Sequence, residues 1–156
     1  MIEVGQPAPD FELRDQHGRQ HRLSSYARSR NAQPKNVVLV FYPFAFTGVC
    51  TGEMCAIRND IGDLQNDDTQ VLAVSCDPLA SLRMFAEREG FEHPLLSDFW
   101  PPGAVARAYG VFNDVIGAAE RGTFIIDTQG TVRWTVRAQL GEARDLNAYL
   151  KALAEI

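Results

Sequence analysis

The chain has 156 residues, of which 46% are apolar, 22% charged and 10% aromatic, and its formal net charge is −5. That is the size of one domain, residues 1–156, with enough apolar side chains to fill a core without disulfide or metal staples. The composition excludes a disordered chain, the acidic balance excludes a broad nucleic-acid footprint, and no apolar run approaches the ~20 residues of a membrane span.

Lys35 and Lys151 are the only lysines, so the positive charge is nearly all arginine, whose rigid fork of donors suits an anion or a polar oxygen. The start Met1-Ile2-Glu3-Val4 lacks the basic head and apolar stretch of a signal peptide. Three cysteines, Cys50, Cys55 and Cys76, are too few for a secreted disulfide framework. The expected setting is a reducing cytoplasm, with the thiols either used for chemistry or buried as small hydrophobes.

In chain order, Phe11 to Asp15 alternates, Gln16-His17-Gly18 turns and Gln20 to Leu23 returns, which predicts a hairpin. Ser24 to Asn36 reads as a surface connection. Asn36 to Tyr42 is a continuous β-branched and aromatic run, the pattern of a buried central strand. Pro43 to Thr47 is a loop. From Gly48 to about Leu64, Met54, Ile57, Ile61 and Leu64 recur at helical spacing. Gln70 to Ser75 is a second buried strand, Pro78 opens a helix that Gly90 ends, and Gly103 to Tyr109 is a short helix. Thr123 to Asp127 and Thr131 to Arg137 form two strands around a turn, and Glu142 to Ile156 is a terminal helix with Leu146, Leu150 and Leu153 on its seam. A β-α-β core followed by a hairpin and a helix predicts an α/β fold of the thioredoxin-like kind: a central mixed sheet with helices on both faces and an N-terminal β-hairpin.

The chain carries no dinucleotide fingerprint, phosphate loop, zinc-protease motif or nucleophile elbow. His17 and His21 read as hairpin surface and His93 as a loop residue. No paired-cysteine spacing points to zinc, and no Cys-x-x-Cys is present, so no metal or other cofactor is expected. Cys50 remains. It follows a strand and a short loop, and with Thr47 as N-cap it occupies the third helical position. There free backbone N–H groups and the helix dipole favour an anion, and the thiolate is the reactive form of cysteine. By position alone, a helix-start cysteine that merely packs is equally consistent.

The residues around it shift that balance. Pro43-Phe44-Ala45-Phe46-Thr47-Gly48-Val49-Cys50 has the form Pro-x-x-x-Thr-x-x-Cys, and Arg121-Gly122-Thr123-Phe124-Ile125-Ile126-Asp127 lies downstream. Gly5-x-x-Ala8-Pro9-Asp10-Phe11 and Leu95-Leu96-Ser97-Asp98 add to the pattern. Together they resemble the peroxiredoxins over nearly the whole chain. Ser97-Asp98-Phe99-Trp100-Pro101 and Tyr109-Gly110-Val111-Phe112 look most like the alkyl hydroperoxide reductase E group.

The resemblance implies a thiol peroxidase acting on hydrogen peroxide and organic hydroperoxides without metal, haem or flavin. Cys50 would be the nucleophile and Arg121 would hold thiolate and peroxide. The Thr47 hydroxyl and the N–H groups of Val49 and Cys50 would donate to peroxide oxygens, and Pro43 would shield the sulfur. Phe44 and Phe46 would line an apolar mouth. Glu53 would either orient an arginine or simply favour the helix start. Cys50 and Cys55 form Cys-x-x-x-x-Cys, similar to the bacterioferritin-comigratory type, in which the second cysteine resolves the first. A Cys55 that only packs, with an external thiol resolving, stays open. The implied partners are a peroxide, a thiol reductant (thioredoxin, a glutaredoxin-like protein or a low-molecular-weight thiol) and a second copy in a homodimer. A thiol–disulfide oxidoreductase and a non-catalytic peroxide sensor are the alternatives.

Overall fold

The computed structural model describes residues 1–156. The chain begins with β1 (Glu12–Arg14), β2 (Gln20–Arg22), β3 (Asn36–Phe41), α1 (Gly48–Asn59), α2 (Ile61–Leu64) and β4 (Thr69–Ser75). It continues through α3 (Leu79–Glu89), β5 (Leu95–Ser97), α4 (Ala104–Ala108), β6 (Phe112–Asn113) and β7 (Ala118–Ala119), and ends with β8 (Arg121–Ile126), β9 (Val132–Ala138) and α5 (Leu146–Ala154). Seven strands form one mixed sheet in the order β2-β1-β5-β4-β3-β8-β9. β3 is parallel to β4 and antiparallel to β8, so the β-branched run sits at the centre, as its composition predicts.

Alternation along β3 feeds two cores, because successive side chains leave a strand on opposite faces. Val37, Leu39 and Phe41 join Tyr109, Phe124 and Ala106 of α4 on one face. Val38 and Val40 join Met54 and Ile57 of α1, Leu64 of α2, Leu82 and Phe85 of α3, and Tyr149 of α5 on the other. Helices therefore cover both faces. Gly90, at φ 72°, supplies the left-handed turn that stops α3.

Several elements differ from the sequence expectation. β5 was not expected; three residues are too few for periodicity, yet it pairs with β4 and, through Ser97 opposite Arg14, ties the N-terminal hairpin to the sheet. The two-residue strands β6 and β7 form a small extra hairpin. The helical run from Gly48 breaks at Asp60 into α1 and α2. The terminal helix starts at Leu146 rather than Glu142, because the Asp145 side chain accepts the Asn147 N–H at 2.9 Å and caps it there. Tyr149 and Ala152 form its buried stripe, with Leu146, Leu150 and Leu153 only partly buried beside them. His93 lies in a connection but is fully buried. His21 is half-buried, held between Asp15 Oδ2 and Tyr26 Oη at 2.7 Å each.

Candidate active site

The site forms where β3 ends. Beyond Phe41 the chain passes through Tyr42 and the loop Pro43–Thr47 and enters α1 at Gly48. Thr47 takes the extended conformation of an N-cap, and its carbonyl accepts the Thr51 N–H at 2.8 Å. Its hydroxyl does not cap the helix; it donates to the Phe44 carbonyl at 2.8 Å. Cys50, on the inward face of the first turn, has no exposed surface, and Pro43 beside it is buried.

The antiparallel register brings an arginine to this sulfur. Val40 pairs with Thr123, so Arg121, two residues earlier on β8, lies beside the loop. All three guanidinium nitrogens of Arg121 are used. Nη2 donates to Cys50 Sγ at 3.1 Å, Nη1 to Glu53 Oε1 at 2.5 Å and Nε to the Leu140 carbonyl at 2.7 Å. Glu53, three positions after Cys50 on α1, is buried and bridges to a second arginine. Arg144 donates Nε to Glu53 Oε2 at 2.8 Å and Nη2 to Oε1 at 2.9 Å, and its backbone N–H also reaches Oε2 at 2.8 Å. Its Nη1 is shared between the Gly122 carbonyl and Thr123 Oγ1 at 3.0 and 3.1 Å. Burial pushes the Glu53 carboxyl up, but the hydrogen bonds and charge of Arg144, with the charge of Arg121, outweigh it and hold its pKa below the usual carboxylate range.

The charges do not cancel. Two buried guanidinium groups face one carboxylate, which leaves one positive charge beside Cys50. A thiolate at Cys50 makes the cluster neutral. A buried unpaired charge is costly.

A cleft of about 320 Å³ opens beside the site, walled by Pro43, Phe44, Thr47, Val49, Ile116 and Leu140, with Arg121 also reaching it. Phe44 thus stands in the apolar mouth. Phe46 does not line this cleft; its ring turns away and packs on Phe85 at 5.1 Å, where the Arg88 guanidinium lies 6.0 Å from it.

Cys55 sits apart from the cluster. It is half-buried against α3, and its thiol donates to Glu89 Oε2 at 3.8 Å. Five helical positions separate it from Cys50, a rotation of ~500° and a rise of ~7.5 Å, so the two sulfurs bond only if the start of α1 unwinds. Cys76, after β4, is half-buried, and burial aided by the Asp98 charge pushes its thiol up to about 11.

Sequence reading missed Arg144, Ile116 and Leu140. The one signal for Arg144 was the need of Glu53 for a cationic partner; placing the segment in a helix hid the residue that meets it. Ile116 reaches the cleft from the connection between β6 and β7, which no periodicity announces.

A model of the AhpC/TSA family matches residues 4–135. The chain belongs to the AhpC/TSA family. Among its AhpC/TSA relatives, alkyl hydroperoxide reductase E of Mycobacterium tuberculosis is 47% identical over all of this chain and 99% of the relative. A putative peroxiredoxin of Synechocystis is 32% identical over all of this chain and 79% of its own length. Of solved structures, peroxidoxin BcpB from Mycobacterium tuberculosis superposes with a TM-score of 0.84 at 34% identity, covering 100% of this chain and 99% of that one. These confirm the thioredoxin-like α/β fold that the order of strands and helices predicted. No helix of this AhpC/TSA chain is long and apolar enough to cross a membrane.

Proposed function

We propose that this protein is a thiol-dependent peroxidase in which the Cys50 thiolate reduces hydrogen peroxide and organic hydroperoxides. The observation that carries this reading is Arg121 Nη2 at 3.1 Å from a fully buried sulfur, within a cluster that has one positive charge to spare. The sulfur attacks one peroxide oxygen in line with the O–O bond. As the S–O bond forms, the O–O bond breaks and its electron pair leaves on the far oxygen, which takes a proton to depart as water or alcohol. Cys50 is left as a sulfenic acid.

Donors aimed at the developing charge lower the barrier. Arg121 and the first-turn N–H groups of Val49 and Cys50 serve here, with the Thr47 hydroxyl turning from Phe44 to the peroxide. Pro43 keeps water from the sulfur. Glu53 orients Arg121, and Arg144 holds Glu53. The apolar walls at Phe44, Val49, Ile116 and Leu140 suit a peroxide with an organic tail.

Cys55 resolves the sulfenic acid after the first turn of α1 unwinds, water leaving as the disulfide forms. Thioredoxin, a glutaredoxin-like protein or a low-molecular-weight thiol then restores both thiols. Residues 1–156 act as one cytoplasmic domain, paired as a homodimer through the active-site loops.

Stopped-flow mixing of the reduced protein with hydrogen peroxide and with an organic hydroperoxide tests the reading. Cys50→Ser is expected to abolish oxidation by both, and the parent is expected to turn over repeatedly with a thiol reductant. Consumption that stops after one equivalent per site would mark a sensor instead.

A further inference from the structure

The loop before Cys50 has one side-chain bond of its own, from the Thr47 hydroxyl to the Phe44 carbonyl, and is otherwise held from outside. Phe46 has φ 68°, a left-handed conformation that a residue with a side chain keeps only where its neighbours fix it. Two anchors come from the segment between β4 and the end of α3. One is the Phe46 ring on Phe85. The other is a carboxylate: Asp77 Oδ2 accepts the Ala45 N–H at 2.9 Å, in the middle of the loop.

Asp77 is itself well secured. The same oxygen accepts the Ser75 hydroxyl at 2.7 Å, and the Asp77 carbonyl accepts the Ser97 hydroxyl of β5 at 2.6 Å. Asp77 therefore links the loop to two sheet strands, and it shares no hydrogen bond with the Glu53 cluster. Pro43 lies two residues before Ala45, and Thr47, at the N-cap position of α1, two residues after it. Both wall the cleft through which a peroxide reaches Cys50.

We propose that Asp77 is a positioning residue for the Cys50 reaction: by accepting the Ala45 N–H it fixes Pro43 and Thr47 over the sulfur, so that the peroxide arrives in line for attack. The proposal rests on the peroxidase reading. Displacing a reacting group by ~1 Å can cost ~100-fold in rate, so a loop freed at its midpoint slows the reaction with Arg121 and Glu53 intact.

Because both side-chain bonds fall on one oxygen, they need an acceptor and not a charge. Asp77→Asn keeps that acceptor and Asp77→Ala removes it. Asp77→Ala is expected to lower the rate constant for Cys50 oxidation by hydrogen peroxide about 10- to 100-fold. Asp77→Asn is expected to stay within about threefold of the parent, since a neutral amide oxygen still accepts both bonds. Amide hydrogen exchange at Ala45 gives an independent readout: protected in the parent and in Asp77→Asn, unprotected in Asp77→Ala. Wild-type rate in Asp77→Ala overturns the proposal, as does equal slowing in both variants. A freely exchanging Ala45 amide in the parent overturns it even if Asp77→Ala does not fold. Parent and Cys50→Ser turnover measured alongside separates this failure from failure of the peroxidase reading.

Discussion

Cys50 and Cys55 share one helix and one type of side chain, yet their surroundings are opposite. Cys50 is fully buried, lies in the first turn and receives an N–H from a guanidinium. Cys55 is half-buried, sits mid-helix and gives its own proton toward the Glu89 carboxylate. The first sulfur faces a cation, and the second faces an anion. Reactivity on α1 is therefore set by what neighbouring elements bring to each position.

The largest test of that contrast is Glu53→Gln. It leaves Arg121 and Arg144 buried without their carboxylate, and breaking such a network costs about 3–5 kcal/mol. Chemical denaturation should show that loss, and the same change made at Glu89 should cost well under half as much. Equal losses would erase the distinction between the two ends of the helix.

Arg121→Ala strikes the Cys50 side alone. One donor to a developing charge is worth about 3–4 kcal/mol, so the peroxide rate should fall by 100- to 1,000-fold. Glu89→Gln should leave that rate unchanged in the same stopped-flow assay.

Acid separates the cluster from a buried group that has no partner. Burial lowers the His93 pKa from 6.5 to about 4, and neither of its ring nitrogens is hydrogen-bonded. The unfolded chain then binds more protons between pH 6.5 and about 4, so stability falls by about 3 kcal/mol as pH drops through that window. Glu53, whose pKa is depressed, loses its contribution only below its ordinary value of 4.5. Denaturation midpoints across pH should therefore flatten between 6.5 and 4 in His93→Leu. An unchanged slope would assign the loss elsewhere.

The smallest expected effect is that of Cys55→Ser on the first oxidation, which should stay within about twofold of the parent because Cys55 does not touch the reacting sulfur. Its effect belongs to the next step: peptide mapping after one equivalent of peroxide should show a Cys50–Cys55 disulfide in the parent and none in the variant. A parent without that disulfide makes Cys55 a packing residue.

Local chemistry made much of this protein legible. The run at 36–42 had to be a central strand because every one of its side chains is apolar or β-branched apart from Asn36, and the Pro-x-x-x-Thr-x-x-Cys spacing placed Cys50 in a first helical turn. Short elements escaped: β5 is only Leu95–Ser97, and its partners lie far off in the chain. Composition and spacing along one chain determined which sulfur stands at a helix start and which fold carries it. Only the tertiary structure decided that Arg144 completes the Glu53 bridge, that Phe46 faces α3 rather than the cleft, and that Asp77 holds Ala45. Each of those contacts joins residues 32 or more positions apart, where sequence periodicity has no reach.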